Sequence, residues 1–223
     1  MHLNRRHFLG AIGAATAATV ATLPALSAHA QPTAQAPVPD KDYRAVDPAQ
    51  PTDTGSKIEV IEFFWYACPH CFAFEPSLNA WVKKLPSDVA FRRVPAQFAP
   101  IWTQHAKLFY TLDAMGEEER LHKKAFDSIH VDHLALDTDA NLVDWAGKNG
   151  IDKAKFADTM KSFGVAGKLK RAAQVVINYK IDGVPALAVN GKFLTAPSMT
   201  GGSDKSLAVC DYLIEAERRK KRA

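Results

Sequence analysis

Apolar and polar positions do not alternate over Ile58–Trp65, a run that is β-branched, aromatic and apolar almost throughout. That pattern predicts a central strand buried on both faces. A helix is predicted directly after it, because Leu78, Trp81, Val82 and Leu85 gather on one side of a 3.6-residue period. Pro69 suits the first helical position, where its missing N–H is not needed. Pro76 should bend this helix and Leu85-Pro86 should end it. Val89–Val94 reads as a second core strand, and Tyr43–Val46 as a short edge strand.

From about Ile101 to Asn178 the period turns helical. Trp102, Ala106, Phe109, Leu112 and Met115 form one apolar stripe, and Leu121, Ala125, Phe126 and Ile129 the next. Leu142, Val143 and Trp145 follow, then Phe156, Met160 and Phe163, and a last helix from about Val165 to Asn178. Gly116, Gly150 and Gly164 read as stops between several of them. Strand character returns at Pro185–Val189, Asn190-Gly191 signals a hairpin turn, and Lys192–Leu194 pairs back. Ser203 or Asp204 can cap a final helix whose apolar face is Leu207, Cys210, Leu213 and Ile214. Nearly eighty helical residues therefore stand between two strand-bearing parts.

The N-terminus has a different character. Met1–Arg6 is short and basic, Phe8–Leu26 is mildly apolar, and Ala28-His29-Ala30 is a small-x-small cleavage pattern. Those zones, in that order, predict a secretory signal over residues 1–30, removed to leave 193 residues from Gln31. A retained anchor is the alternative, weakened because an Ala/Thr-rich segment spans membranes poorly. Arg5-Arg6 also fits a twin-arginine signal, with a general secretion signal as its rival. Either route ends outside the cytoplasm, most simply in a bacterial periplasm. The proline-bearing stretch 31–39 is expected to be a flexible leader.

Composition narrows little further. The chain is 47% hydrophobic and 23% charged, which excludes collagen-like and disordered classes. Its formal charge is +4, and losing Arg5 and Arg6 leaves 26 basic against 24 acidic residues, or +2. That balance calls for no nucleic acid and no membrane surface, and the mature chain is expected to be a monomer. Three cysteines are too few for a disulfide scaffold, but Cys68 and Cys71 lie three positions apart.

Chemistry is concentrated in Cys68-Pro69-His70-Cys71 at the predicted helix start. This spacing brings the two sulfurs near bonding range. Unpaired N–H groups and the positive end of the helix dipole favour a Cys68 thiolate, and His70 pushes the same way. A stabilised thiolate is a good leaving group, so the disulfide form should be a strong oxidant. Zinc would need four ligands, and only Cys210 and scattered histidines remain. Haem attachment would need His after Cys71, where Phe72 stands. An inert disulfide stays open, although so short a loop restrains an unfolded chain little. No metal and no separate cofactor are expected; the redox group would be the Cys68–Cys71 disulfide itself. Cys210 is expected to be a buried inert thiol, and His130 and His133 to face solvent.

Phe63–Cys71, with Gly183-Val184-Pro185 and Val189-Asn190-Gly191-Lys192, resembles the bacterial DsbA family of thiol:disulfide interchange proteins. The similarity runs from about Asp40 to the C-terminus. It implies an α/β, thioredoxin-like fold with a central mixed β-sheet, split into 40–99 and 179–223 by an inserted all-helical domain at 100–178. DsbA-type sites are the standard example of a depressed cysteine pKa, so that direction is not an independent prediction. The resemblance makes Cys68 the exposed nucleophile, Cys71 its buried partner, Pro185 a cis-proline beside the disulfide, and Val184 a backbone partner for an extended substrate. Glu62 matches the family's buried acid, able to relay the Cys71 proton; the alternative is an edge carboxylate facing solvent. Arg93 stands where relatives carry a lysine, and could pair with Glu62 but not shuttle a proton.

The implied activity is donation of the Cys68–Cys71 disulfide to exported proteins with free cysteines, followed by reoxidation through a quinone-linked membrane protein of the DsbB type. Two alternatives stand beside it: a disulfide isomerase or reductase on the same fold, and a secreted binding or chaperone-like protein with a structural disulfide.

Overall fold

The computed structural model describes residues 36–222, so the expected signal peptide and residues 31–35 of the leader lie outside the described residues. A five-stranded mixed sheet runs in the order β1-β5-β4-β2-β3. Its strands are β1 (Arg44–Ala45), β2 (Ile58–Phe64), β3 (Val89–Pro95), β4 (Ala186–Val189) and β5 (Phe193–Thr195). Only β2 and β3 are parallel; every other pairing is antiparallel. Around the sheet lie α1 (Pro69–Val82), α2 (Pro100–Ala114), α3 (Glu118–His130), α4 (Asp139–Lys148), α5 (Lys153–Met160), α6 (Phe163–Asn178), α7 (Pro197–Thr200) and α8 (Ser203–Arg222).

All seven residues of β2 are buried, as a run without alternation requires. Ile58 and Val60 pack with Phe74 and Leu78 of α1 and with Leu207, Leu213 and Ile214 of α8. Ile61 and Phe63 belong to a second cluster with Leu108, Phe126, Trp145, Phe156 and Val176 from the intervening helices. The helical segment thus shares its core with the sheet. Cys210 is buried in the α1–α8 cluster, away from the other two cysteines.

Several elements differ from expectation. β3 is an edge strand, only half-buried from Ala90 to Arg93, because α2 and α6 cover its free side incompletely. The helix after the cysteines ends at Val82 rather than Leu85, and it continues through Pro76. Phe163 does not extend the α5 stripe. Ser162 caps a new helix there by accepting the Val165 N–H, which leaves Phe163 98% exposed and puts Gly164 inside α6. Ser203 is the first residue of α8 rather than its cap, since the short helix α7 leads straight into it. Residues 38–42 already form a turn in which the Val38 N–H donates to Asp42 Oδ2, so ordered contacts begin inside the expected leader.

Asn190 and Gly191 both have positive φ (52° and 70°), as the Asn-Gly signal demands. Gly191 is also touched from outside. The Gln50 N–H donates to its carbonyl at 2.8 Å, and a Cβ would come within 2.0 Å of the Gln50 carbonyl oxygen. Gly191→Ala is therefore expected to destabilise the protein by about 2–3 kcal/mol, through lost left-handed freedom and displacement of the 48–51 segment. Denaturant unfolding would measure this. A stability unchanged by the substitution would contradict the close approach.

Candidate active site

The chain leaves β2 at Phe64 and turns tightly, with the Cys68 N–H donating to the Trp65 carbonyl at 3.0 Å. Cys68 then becomes the N-cap of α1, with extended backbone angles (φ −81°, ψ 116°), and Pro69 takes the first helical position. An N-cap side chain accepts from the first-turn N–H groups. Here the acceptor is the Cys68 sulfur, which receives the Cys71 N–H at 3.4 Å. The helix start that orders the turn also solvates a thiolate.

The two sulfurs are in the dithiol form and their environments are opposite. Donation from the Cys71 thiol is the largest influence on Cys68; the Cys71 and His70 N–H groups and the His70 charge add to it. Together they outweigh burial and bring the Cys68 thiol from 9.0 down to about 6. Cys71 is fully buried, and burial, the Cys68 sulfur and the Glu62 charge all hold its thiol far above the ordinary range. Pro69 and His70 are exposed on the surface turn. Cys68 is not the exposed residue that the resemblance implied: it is only 7% exposed, because its sulfur turns in against the helix start and the Val184 carbonyl. One sulfur is tuned to leave as an anion and the other to stay protonated.

Across from Cys68, the Val184–Pro185 peptide bond is cis, and the Cys68 thiol lies 3.5 Å from the Val184 carbonyl as its donor. His70, Val184, Pro185, Leu194, Pro197 and Met199 line part of a groove of about 770 Å³ that starts at this point. Its floor is largely apolar.

Beneath the cysteines, Glu62 is fully buried on the central strand and does not face solvent. Its β3 neighbour in register is Arg93, whose Nε donates to Glu62 Oε2 at 3.0 Å. Glu62 Oε1 has no hydrogen-bond partner. Burial and the nearby Glu75 charge raise its pKa to about 8, against the opposing pull of Arg93.

Sequence reasoning missed the rest of this buried group: Tyr66, Glu75, Asn79, Glu118 and His122. Glu75 had a readable signal, since it lies four residues after Cys71 on the same face of α1. His122 had none, because only the packing of α3 brings it there. His130 also departs from expectation. It is half-buried, stacked on Phe72 at 4.7 Å, and its Nε2 is 2.8 Å from the Tyr66 carbonyl. His133 is exposed.

A mixed sheet interrupted by helices, with an N-capping thiol opposite a cis-proline, defines a thioredoxin-fold dithiol–disulfide oxidoreductase. Residues 59–206 match the model of the DSBA-like thioredoxin domain. The chain is 48% identical over 168 residues to thiol:disulfide interchange protein DsbA of Azotobacter vinelandii, covering 75% of this chain and 78% of that one. It is 42% identical over 178 residues to the Pseudomonas aeruginosa DsbA, covering 80% and 84%. The crystal structure of Pseudomonas aeruginosa DsbA superposes with a TM-score of 0.81 at 40% identity, over 83% of this chain and 97% of that one. This chain belongs to the DsbA family and is a thiol:disulfide oxidoreductase of the disulfide-forming kind.

Proposed function

We propose that the protein works in the periplasm, where it passes the Cys68–Cys71 disulfide to newly exported chains with free cysteines. The observation that carries this reading is the contrast between an N-capping Cys68, tuned toward thiolate, and a buried, protonated Cys71. A substrate thiolate attacks the Cys68 sulfur, which forms the mixed disulfide and breaks the Cys68–Cys71 bond. A second substrate thiolate then attacks the substrate's sulfur and expels Cys68 as a thiolate, the better leaving group. The substrate gains a disulfide and the protein is left as a dithiol. A membrane protein of the DsbB type would reoxidise it by the reverse exchange. The groove beside Pro185 would take an extended segment of many different chains, with Val184 pairing to its backbone.

Cys71 leaves the first step as a thiolate in a dry site, so it needs a proton. Glu62 is the acid in this reading: below about pH 8 it holds a proton and gives it to Cys71. Reduction of the disulfide by a small thiol, corrected for the thiolate fraction of that reagent, is therefore expected to be constant up to about pH 8 and to fall above it. Glu62→Gln should lower the plateau on the order of 10²-fold and remove the bend. A bend that survives in Glu62→Gln would show that the proton comes from elsewhere.

A further inference from the structure

Six polar side chains continue inward from Glu62 in one connected group. Arg93 donates to Glu62 Oε2 at 3.0 Å and to Asn79 Oδ1 at 2.8 Å. Asn79 in turn donates to Glu75 Oε2 at 2.7 Å, and Arg93 reaches the same oxygen at 3.5 Å. His122 Nε2 lies 3.3 Å from Glu75 Oε1, and its Nδ1 lies 3.0 Å from the Tyr66 hydroxyl. Glu118 Oε1 completes the group, 3.3 Å from His122 Nδ1 and 3.8 Å from Arg93, with no hydrogen-bond partner. Three features of this layout converge on one residue.

The first is the tautomer of His122. A carboxylate oxygen lies 3.3 Å from each ring nitrogen, but only Glu75 Oε1 is hydrogen-bonded to the ring, while Glu118 Oε1 has no hydrogen-bond partner. A carboxylate oxygen can only accept, so the ring proton belongs on Nε2, facing Glu75. Nδ1 then accepts from the Tyr66 O–H, and both ring nitrogens are satisfied. The second is charge. Glu62, Glu75 and Glu118 surround one fixed cation, Arg93, while the buried His122 ring stays neutral because burial disfavours its charged form. With all three acids ionised the cluster would carry −2, so one acid keeps a proton.

The third observation decides which acid that is. Both oxygens of Glu75 have donors: His122 at Oε1, Asn79 and Arg93 at Oε2. Burial would raise Glu75, but these donors hold it below its ordinary value. Glu62 has a donor on Oε2 alone, and Glu118 is partly exposed. Take away His122, and Glu75 Oε1 becomes as bare as Glu62 Oε1. We propose that His122, supplied by the helical insertion, is a positioning residue that assigns the cluster's one exchangeable proton to Glu62 rather than Glu75. This rests on the reading of Glu62 as the proton donor to Cys71. In the first exchange step the Cys68–Cys71 bond breaks, the Glu62 proton moves to the Cys71 sulfur, and Glu62 is left as a carboxylate beside Arg93. His122 takes no part in that transfer; it keeps the proton on the correct acid beforehand.

The test is a ¹³C titration of the Glu62 and Glu75 carboxyl carbons in the oxidised full chain, alongside the pH profile of disulfide reduction. In His122→Phe the Glu62 midpoint should fall and that of Glu75 should rise, each by about one pH unit or tenfold in proton affinity. The bend in the reduction profile should move to lower pH with Glu62. His122→Gln, whose amide can still donate to Glu75, should restore both midpoints. Midpoints unchanged in a folded His122→Phe would overturn the proposal. Should that variant fail to fold, ¹⁵N shifts of the His122 ring in the unaltered protein decide: a neutral Nε2–H tautomer is expected, and an Nδ1–H or cationic ring refutes it. The two readings fail separately. A bend that persists in Glu62→Gln removes Glu62 as donor, whereas midpoints indifferent to His122→Phe remove only His122.

Discussion

Replacing Cys68 by Ser is expected to reduce oxidation of a reduced, unfolded test protein to the uncatalysed background. Serine cannot form a disulfide, and neither remaining cysteine can stand in. Cys71 and Cys210 are both fully buried, and burial pushes both thiols above their ordinary range. Loss of activity would not reflect loss of fold, because serine is itself a good N-cap and can accept the Cys71 N–H that the sulfur now holds. Cys71→Ser should behave differently. It too cannot hold the disulfide and so cannot oxidise the substrate, but its Cys68 thiolate can attack a small disulfide probe and release one thiolate of it. The mixed disulfide so formed should persist, because no Cys71 is present to expel the other half. Thiol counting and non-reducing electrophoresis would separate the two outcomes. Oxidation that survives Cys68→Ser would sink the assignment of the attacked sulfur.

The parts of this molecule legible in its sequence are those whose cause is local. β2 was readable because a strand buried on both faces has no polar alternation, and the N-capping Cys68 because Pro69 marks a first helical residue. β3 misled because Val89, Phe91 and Val94 look the same on an edge as in a centre; position in a sheet depends on which strands arrive later in the chain. Phe163 misled because the helical period carries across Lys161-Ser162 while the Ser162 cap restarts the helix. The site divides in the same way. Cys68, Cys71 and His70 follow from spacing, and Glu62 from its place in the motif. Tyr66 and His122 lie 56 positions apart and meet only when α3 packs beneath α1, so no pattern along the chain announces them.

Ultraviolet absorbance of the dithiol form should show a thiolate titrating near pH 6, and the redox potential should change its pH dependence at the same point. The absorbance follows from Cys68, whose thiol is brought down to about 6 by the Cys71 thiol and N–H groups. Below that midpoint two protons accompany two electrons, and the potential should fall by about 59 mV per pH unit. Between pH 6 and 9 the product holds one thiolate, one proton is taken up, and the slope should halve to about 30 mV. At pH 7 the thiolate favours the dithiol by about 1.4 kcal/mol, equivalent to about 30 mV of added oxidising strength. The same linkage fixes the sign for folding. A thiol whose folded pKa lies below its unfolded value adds stability that is complete above about pH 9 and is lost as pH falls through 6. Three pH units correspond to about 4 kcal/mol at most, roughly 2–3 after solvent screening. Glu62 has the opposite sign, losing stability as pH rises toward 8, but it is present in both redox forms and largely cancels in their difference. The thiolate should therefore offset most of the roughly 2 kcal/mol that so short a disulfide loop adds at neutral pH, and outweigh it toward pH 9, with the offset lost as pH falls through 6. That opposes the usual effect of a disulfide, as a protein that gives its disulfide away requires. A thiolate titrating near 9, with one slope of about 59 mV from pH 5 to 8, would remove the basis of the oxidising reading.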